Sequence, residues 1–202
     1  MGAGGGGELG GEVVLQTERL YLRRFGAGDA RLFFELDSDP EVMRFISHGE
    51  PTSLEKIEKE ILPRVLGYHS CDPPQGCWAA HLLADNQFIG WFHLRADRIE
   101  PEEMELGYRL RRSAWGRGLA TEGSRGLVRQ AFNSWGYPKV CARTLLGNRA
   151  SQRVMEKSGL RFEAHFVYNL ETLPGWSEQE RQAVKYSVNR GVNPKTQRGG
   201  DT

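Results

Sequence analysis

The seven residues Trp115-Gly116-Arg117-Gly118-Leu119-Ala120-Thr121 are the stretch best suited to holding an anion. An alternating apolar run ahead of them (Met104, Leu106, Tyr108, Leu110) reads as a strand, and a helical pattern follows. The first turn of a helix carries backbone N–H groups with no partner inside the helix, at the positive end of its dipole. Small residues let a phosphate approach those donors, and glycine supplies the backbone angles of a tight turn. A P-loop would add lysine and then Ser/Thr after its glycines. Gly118-Leu119-Ala120-Thr121 has no lysine, which removes that class. A second strand-to-helix junction lies at Asn148, where asparagine suits an N-cap and Gly159 suits the residue after the helix.

Both segments carry a family likeness. W-G-R-G-L-A resembles the pyrophosphate loop of the GNAT N-acetyltransferases, Gln/Arg-x-x-Gly-x-Gly/Ala, with Gly118 and Ala120 at the small positions and Trp115 at the first. ELGYRL…WGRGLATEG is similar to the RimJ/RimL-like branch, and Asn148–Leu160 resembles that family's N-x-x-[AS]-x-x-x-[Y]-E-K-x-G-F segment. The resemblance implies acetyl-CoA as co-substrate and no metal. It implies that backbone amides from Trp115 through Gly116, Arg117, Gly118, Leu119 and Ala120 to Thr121 grip the diphosphate. The open edge of the strand at Leu106, Tyr108 and Leu110 would pair with the pantetheine arm, which Asn148 would also contact. The family's frequent tyrosine, which protonates the departing thiolate, falls on Met155, and methionine has no proton to give. The branch offers a serine instead, and Ser151 matches it.

The reaction so implied is acetyl transfer to a primary amine, of a protein N-terminus or a small molecule, by direct attack in a ternary complex. The alternative is a non-catalytic coenzyme A-binding or sensory module. An attacking amine must be neutral, yet an α-amine titrates near ~8 and a lysine near ~10.4, so a base is needed. Glu105, in the strand leading to the loop, is the first candidate, with His93 and His81 on neighbouring strands as alternatives. Arg111, Arg112, Arg117 and Arg149 form an expected basic collar around the phosphates. The polar 171–181 loop, with Trp176 and Glu178/Glu180, is the candidate for acceptor recognition.

The elements that must position these groups follow from periodicity. Residues 18–25 read as a strand, Asp29 caps a helix carrying Leu32, Phe33 and Leu36, and a short helix starts at Pro40. An amphipathic helix over 53–67 should kink or end early at Pro63. Strands at 77–84 and 87–95 flank an Asp85-Asn86 turn, and a third spans 103–110. A helix over 118–135, a strand at 139–146, a helix at 148–158 and strands at 160–170 and 182–190 complete the pattern. With the two short early helices taken together, the order is β-α-α-β-β-β-α-β-α-β-β. It describes a single mixed α/β (α+β) domain with a central, mostly antiparallel sheet flanked by helices, as the resemblance also implies.

The chain has 202 residues, enough for one domain with a sizeable core, and its 39% hydrophobic and 26% charged residues are ordinary globular values. A net charge of +1 argues against a nucleic-acid partner. No apolar run is long enough to span a bilayer, and no signal segment is evident, so a cytoplasmic protein without a membrane partner is expected. Homodimerisation is left open. Cys71, Cys77 and Cys141 lack metal-ligand spacing and read as reduced structural thiols. Glycine-rich residues 1–14 and polar residues 191–202 are expected to be disordered tails around a domain at 15–190.

Overall fold

The computed structural model describes residues 11–191, so most of both expected tails lies outside the described residues. Eight strands form one sheet: β1 Val13–Gln16, β2 Leu20–Arg24, β3 Gly76–Leu82, β4 Phe88–Ala96, β5 Met104–Leu110, β6 Lys139–Leu145, β7 Arg161–Val167 and β8 Gln182–Asn189. Their spatial order is β1-β2-β3-β4-β5-β6-β8-β7, antiparallel throughout except where β5 meets β6. β1 corrects the expected boundary, because it starts inside the segment assigned to the tail. It pairs with β2 across a bulge. The strand expected at 160–170 is shorter, ending at Val167 before the Tyr168–Arg181 loop begins.

Helices α1 Ala30–Asp37, α2 Pro40–Ser47, α3 Leu54–Lys56 and α4 Leu62–Gly67 cover one face. Phe33, Leu36, Leu62 and Val65 from these helices, with Ile57 between α3 and α4, pack on Cys77, Ala79 and Phe88. α5 Leu119–Asn133 and α6 Arg149–Lys157 cover the other face, where Leu119, Leu127, Ala131 and Met155 meet Phe92, Leu94, Leu106 and Val140. Pro63 neither ends nor breaks the 54–67 segment. A π turn, Ile57–Ile61, precedes it, and the Leu62 N–H bonds to the Ile57 carbonyl. That extra residue per turn relieves the clash a proline ring makes with the carbonyl four residues back.

The strand pair that matters most is the least complete. β5 and β6 run parallel but register only at Met104↔Val140 and Glu105↔Cys141. Beyond Glu105 the strands diverge, and the β6-facing edge of Leu106–Leu110 has no strand partner. β4 holds β5 from the other side over its whole length, from Ala96↔Met104 to Gly90↔Leu110. A one-sided strand beside a widening gap is an edge that an extended polar chain can complete. Strand alternation then sorts the side chains. Glu105, Gly107 and Arg109 face the α1–α4 side together with Trp91, His93 and Arg95, whereas Leu106, Tyr108 and Leu110 face α5 and α6.

Candidate functional site

A cleft of about 640 Å³ opens where β5 and β6 part and passes from one face of the sheet to the other. On the α5 side it is lined by Trp115, Gly116 and Ala120. Gly118 is the N-cap of α5, in the left-handed region at φ 78°, and no side chain caps the helix. The Leu119, Ala120 and Thr121 N–H groups therefore have neither an intrahelical nor a side-chain acceptor, which leaves donors for a diphosphate. Leu119 itself is core, so only its backbone can serve. The Trp115 indole N–H donates to the Leu110 carbonyl at 2.7 Å, which ties the loop to the strand it follows.

Two members of the expected basic collar, Arg111 and Arg112, are engaged elsewhere. Arg111 Nη2 meets Glu35 at 2.6 Å, Arg112 Nε meets Asp39 at 2.6 Å, and Arg109 pairs with the buried Asp37. These pairs clamp α1 and the start of α2 onto the end of β5. Arg149 bonds Gln152 at 3.0 Å, and Arg117 reaches only the Ser113 carbonyl, at 3.4 Å. None of Arg111, Arg112, Arg117 and Arg149 lines the cleft. A further cation beside the loop is one the sequence reading passed over. Arg19 donates to the Arg117 carbonyl at 2.9 Å and to Glu122 at 2.6 Å, while the Thr17 hydroxyl also binds Glu122 at 2.6 Å. An acid in the first turn of α5 would compete with a bound anion, and Arg19 neutralises it.

At α6, Asn148 caps the helix by accepting from the Ser151 N–H at 3.2 Å, and both residues line the cleft. Tyr108 crosses the gap from β5. Its hydroxyl lies 3.0 Å from Ser151 Oγ and 3.1 Å from the Ser151 carbonyl, and burial pushes its pKa up to about 12. Two protonated hydroxyls thus stand beside Met155 where the family tyrosine is missing. Tyr108 was read from sequence for its backbone alone; its phenol contact, 43 residues away along the chain, has no local signature.

On the opposite face Glu105, His93 and Arg95 meet. Arg95 Nη2 is 2.6 Å from Glu105 Oε2, and His93 Nε2 is 3.6 Å from the same oxygen. Burial disfavours the Glu105 carboxylate, but His93 and Arg95 outweigh it and hold its pKa below the ordinary value. At 3.6 Å the imidazole is beyond hydrogen-bond length, so Arg95 is the stronger partner. Burial in turn lowers the His93 pKa below 6.5, against the raising influence of Glu105. His81 lies elsewhere: its Nδ1 is 3.0 Å from the Asn86 carbonyl, and it does not line the cleft. Also lining the cleft, Arg143 makes a two-pronged pair with buried Asp97 at 2.8 and 3.2 Å.

Of the 171–181 loop, Thr172 and Leu173 reach the cleft. Trp176 packs instead with Leu145 and Ala183 and stacks on His48 at 3.6 Å. Glu180 lies 3.4 Å from His48 Nε2. Glu100, Glu103 and Glu163 cluster away from the cleft around the buried Lys185, with Glu103 at 2.9 Å and Glu163 at 3.0 Å. No helix among the described residues is long and apolar enough to cross a membrane.

Comparison with known proteins agrees with this geometry. Residues 19–161 match the acetyltransferase (GNAT) domain family. The FsC-acetyl coenzyme A-N(2)-transacetylase of Aspergillus fumigatus is 32% identical over 187 residues, which cover 89% of this chain and 77% of that protein. A GNAT-family acetyltransferase from Bacillus anthracis superposes with a TM-score of 0.70 at 22% identity, covering 87% of this chain and 97% of that one. An acetyltransferase from Agrobacterium tumefaciens gives 0.68 at 23% identity, covering 89% and 95%. With the divergent strands, the uncapped glycine turn and these matches together, the chain belongs to the GNAT family of acetyltransferases.

Proposed function

We propose that this protein transfers an acetyl group from acetyl-CoA straight to the α-amine of an amino acid, peptide or related small molecule, both substrates being bound at once. The observation that carries the reading is the gap between β5 and β6, with anion donors at its α5 end and titratable groups across the sheet. The diphosphate would sit on the first turn of α5. The thioester arm would follow Leu106–Leu110 past Asn148, and the leaving sulfur would come to Ser151. The amine would enter from the Glu105 side. Direct attack is favoured over a covalent acyl-enzyme because the thiols are unsuited to the task. Cys77 and Cys141 are buried with pKa values pushed far up, and Cys71 lies outside the cleft.

The charge pattern favours an α-amine over a polycation. Glu105 is engaged by Arg95 and Asp97 by Arg143, so neither carboxylate is spare. The remaining acid lining the cleft, Glu41, is exposed and 4.0 Å from Arg44. A polyamine or aminoglycoside would find little to replace its hydration. The RimJ/RimL-like wording of 105–123 points to α-amines as well.

Met155 in place of a proton donor favours a second reading, a coenzyme A sensor without turnover. One experiment separates them. Acetyl-CoA should raise Tm, and thiol release should follow with amino-acid amides or short peptides but not with spermidine or an aminoglycoside. Stabilisation without thiol release across that panel would leave the sensor. Gly118→Glu should abolish the Tm shift, because it puts a carboxylate at the anion site and a side chain at φ 78°.

A further inference from the structure

We infer that His93, through Nδ1, is the general base of the reaction, and that Glu105 is the residue that orients it. The inference rests on the proposed acetyl transfer. Three independent features of the cleft carry it.

First, the imidazole has a built seat. His93 lies opposite Gly107 in the β4–β5 ladder, and its ring packs directly on the Gly107 Cα. A Cβ at position 107 would be 3.1 Å from Nδ1 and nearer still to Cε1 and Nε2, so no other residue leaves room for the ring. Trp91 stacks on the imidazole, with centroids 5.5 Å apart and planes 18° apart. Second, the two nitrogens are unlike. Nε2 is buried without a hydrogen-bond partner and faces Glu105 Oε2 at 3.6 Å. Nδ1 is not such an orphaned buried atom, and His93 lines the cleft. Third, Glu105 is already committed. Its Oε2 accepts from Arg95 at 2.6 Å, which keeps it an anion and a weak base.

A carboxylate beside one imidazole nitrogen fixes the tautomer with the proton there, leaving the other nitrogen's lone pair free. Catalytic hydrogen bonds are often long before substrate binds, so 3.6 Å can shorten in the complex. Proton flow then balances. The incoming ammonium gives one proton to His93 Nδ1, and the neutral nitrogen attacks the acetyl carbonyl carbon. The C–N bond forms, the C–S bond breaks, and the second nitrogen-bound proton ends on the sulfur. His93 returns its proton to solvent.

Besides Glu105, the charged groups acting on this ring are Arg95 on β4 and Arg98 in the loop after it, and Arg109 and Tyr168 line the same cleft. Burial above all, with Arg95 and Arg98 adding to it, favours the neutral imidazole, so kcat/KM for the amine should fall as pH drops through a value below 6.5. His93→Gln should lower kcat by roughly 10²–10⁴-fold and remove that limb, with acetyl-CoA affinity retained. Glu105→Gln should keep a limb but move it to lower pH, because the carboxylate that raises the His93 pKa is gone. Independently of any acceptor, ¹⁵N spectra of the whole protein at pH 8 should show His93 protonated at Nε2. A His93→Gln enzyme with near-normal kcat and an intact limb, a limb lost only in Glu105→Gln, or the Nδ1-protonated tautomer would each overturn the assignment. A wild-type protein that acetylates no amine would instead defeat the proposed function, and the spectra would still read the tautomer.

Discussion

Gly107→Ala is the most informative single methyl group that can be added to this protein. It would place a Cβ 3.1 Å from His93 Nδ1 and inside the contact distance of Cε1 and Nε2. Carbon contacts are most favourable at about 3.5–4.0 Å, so the ring must withdraw by roughly 1 Å. Overpacking of this kind costs about 1–3 kcal/mol. In a domain of this size each kcal/mol lowers Tm by about 2–4 °C, which gives an expected fall of roughly 2–12 °C. A base displaced by about 1 Å costs on the order of 10² in rate. Residue 107 faces away from Tyr108 and α6, so acetyl-CoA affinity should change little. Thiol-release kinetics, a thermal melt and an acetyl-CoA titration measure all three. Adding His93→Ala to Gly107→Ala removes the overlap and should recover stability, a non-additive cycle of about 1–3 kcal/mol. A Gly107→Ala enzyme with wild-type kcat/KM would refute the role of His93. Additive stabilities would refute the seat.

Other perturbations address the rest of the site. Ser151→Ala should lower kcat by on the order of 10²-fold while leaving acetyl-CoA affinity almost unchanged, and Tyr108→Phe should do the same to a smaller degree. Both losses should shrink with an acetyl thioester of a more acidic thiol, and an undiminished kcat would reduce Ser151 to part of a helix cap. Lys185→Met leaves Glu100, Glu103 and Glu163 facing one another and should cost about 3–5 kcal/mol at pH 7. Against the cost of burial, a hydrogen bond from Ser187 together with Lys185 and Lys139 holds the Glu163 pKa at about 2, below its ordinary 4.5. The cluster's stabilisation is therefore complete above about pH 4.5 and is lost as pH falls toward 2. The wild-type advantage over Lys185→Met should narrow across that window, and a gap independent of pH would sink the account.

Short-range signals carried much of this molecule. The Met104–Leu110 alternation, the Asp85-Asn86 turn, the glycine entry to α5 and the Asn148 cap each depend on neighbours within one element, and periodicity exposes them. Long-range pairings left no such trace. Four residues at Val13–Gln16 become a strand only because β2 lies beside them. Pro63 reads as a breaker because a π turn is invisible to helical periodicity. Arg111 and Arg112 look like part of a phosphate collar until α1 and the start of α2 bring up Glu35 and Asp39. Gly107 carries no local signal, and only the register with His93 gives it a purpose. Glu105 stands out in sequence as a buried acid, while its engagement by Arg95 depends on strand pairing.

The account stands or falls on where the coenzyme lies. A crystal structure of the protein with acetyl-CoA measures that directly. The diphosphate should lie within hydrogen-bond reach of backbone N–H groups between Trp115 and Thr121, with the thioester arm in the gap between β5 and β6 and its sulfur near Ser151. A coenzyme bound on another face, or one whose arm runs outside that gap, would contradict it.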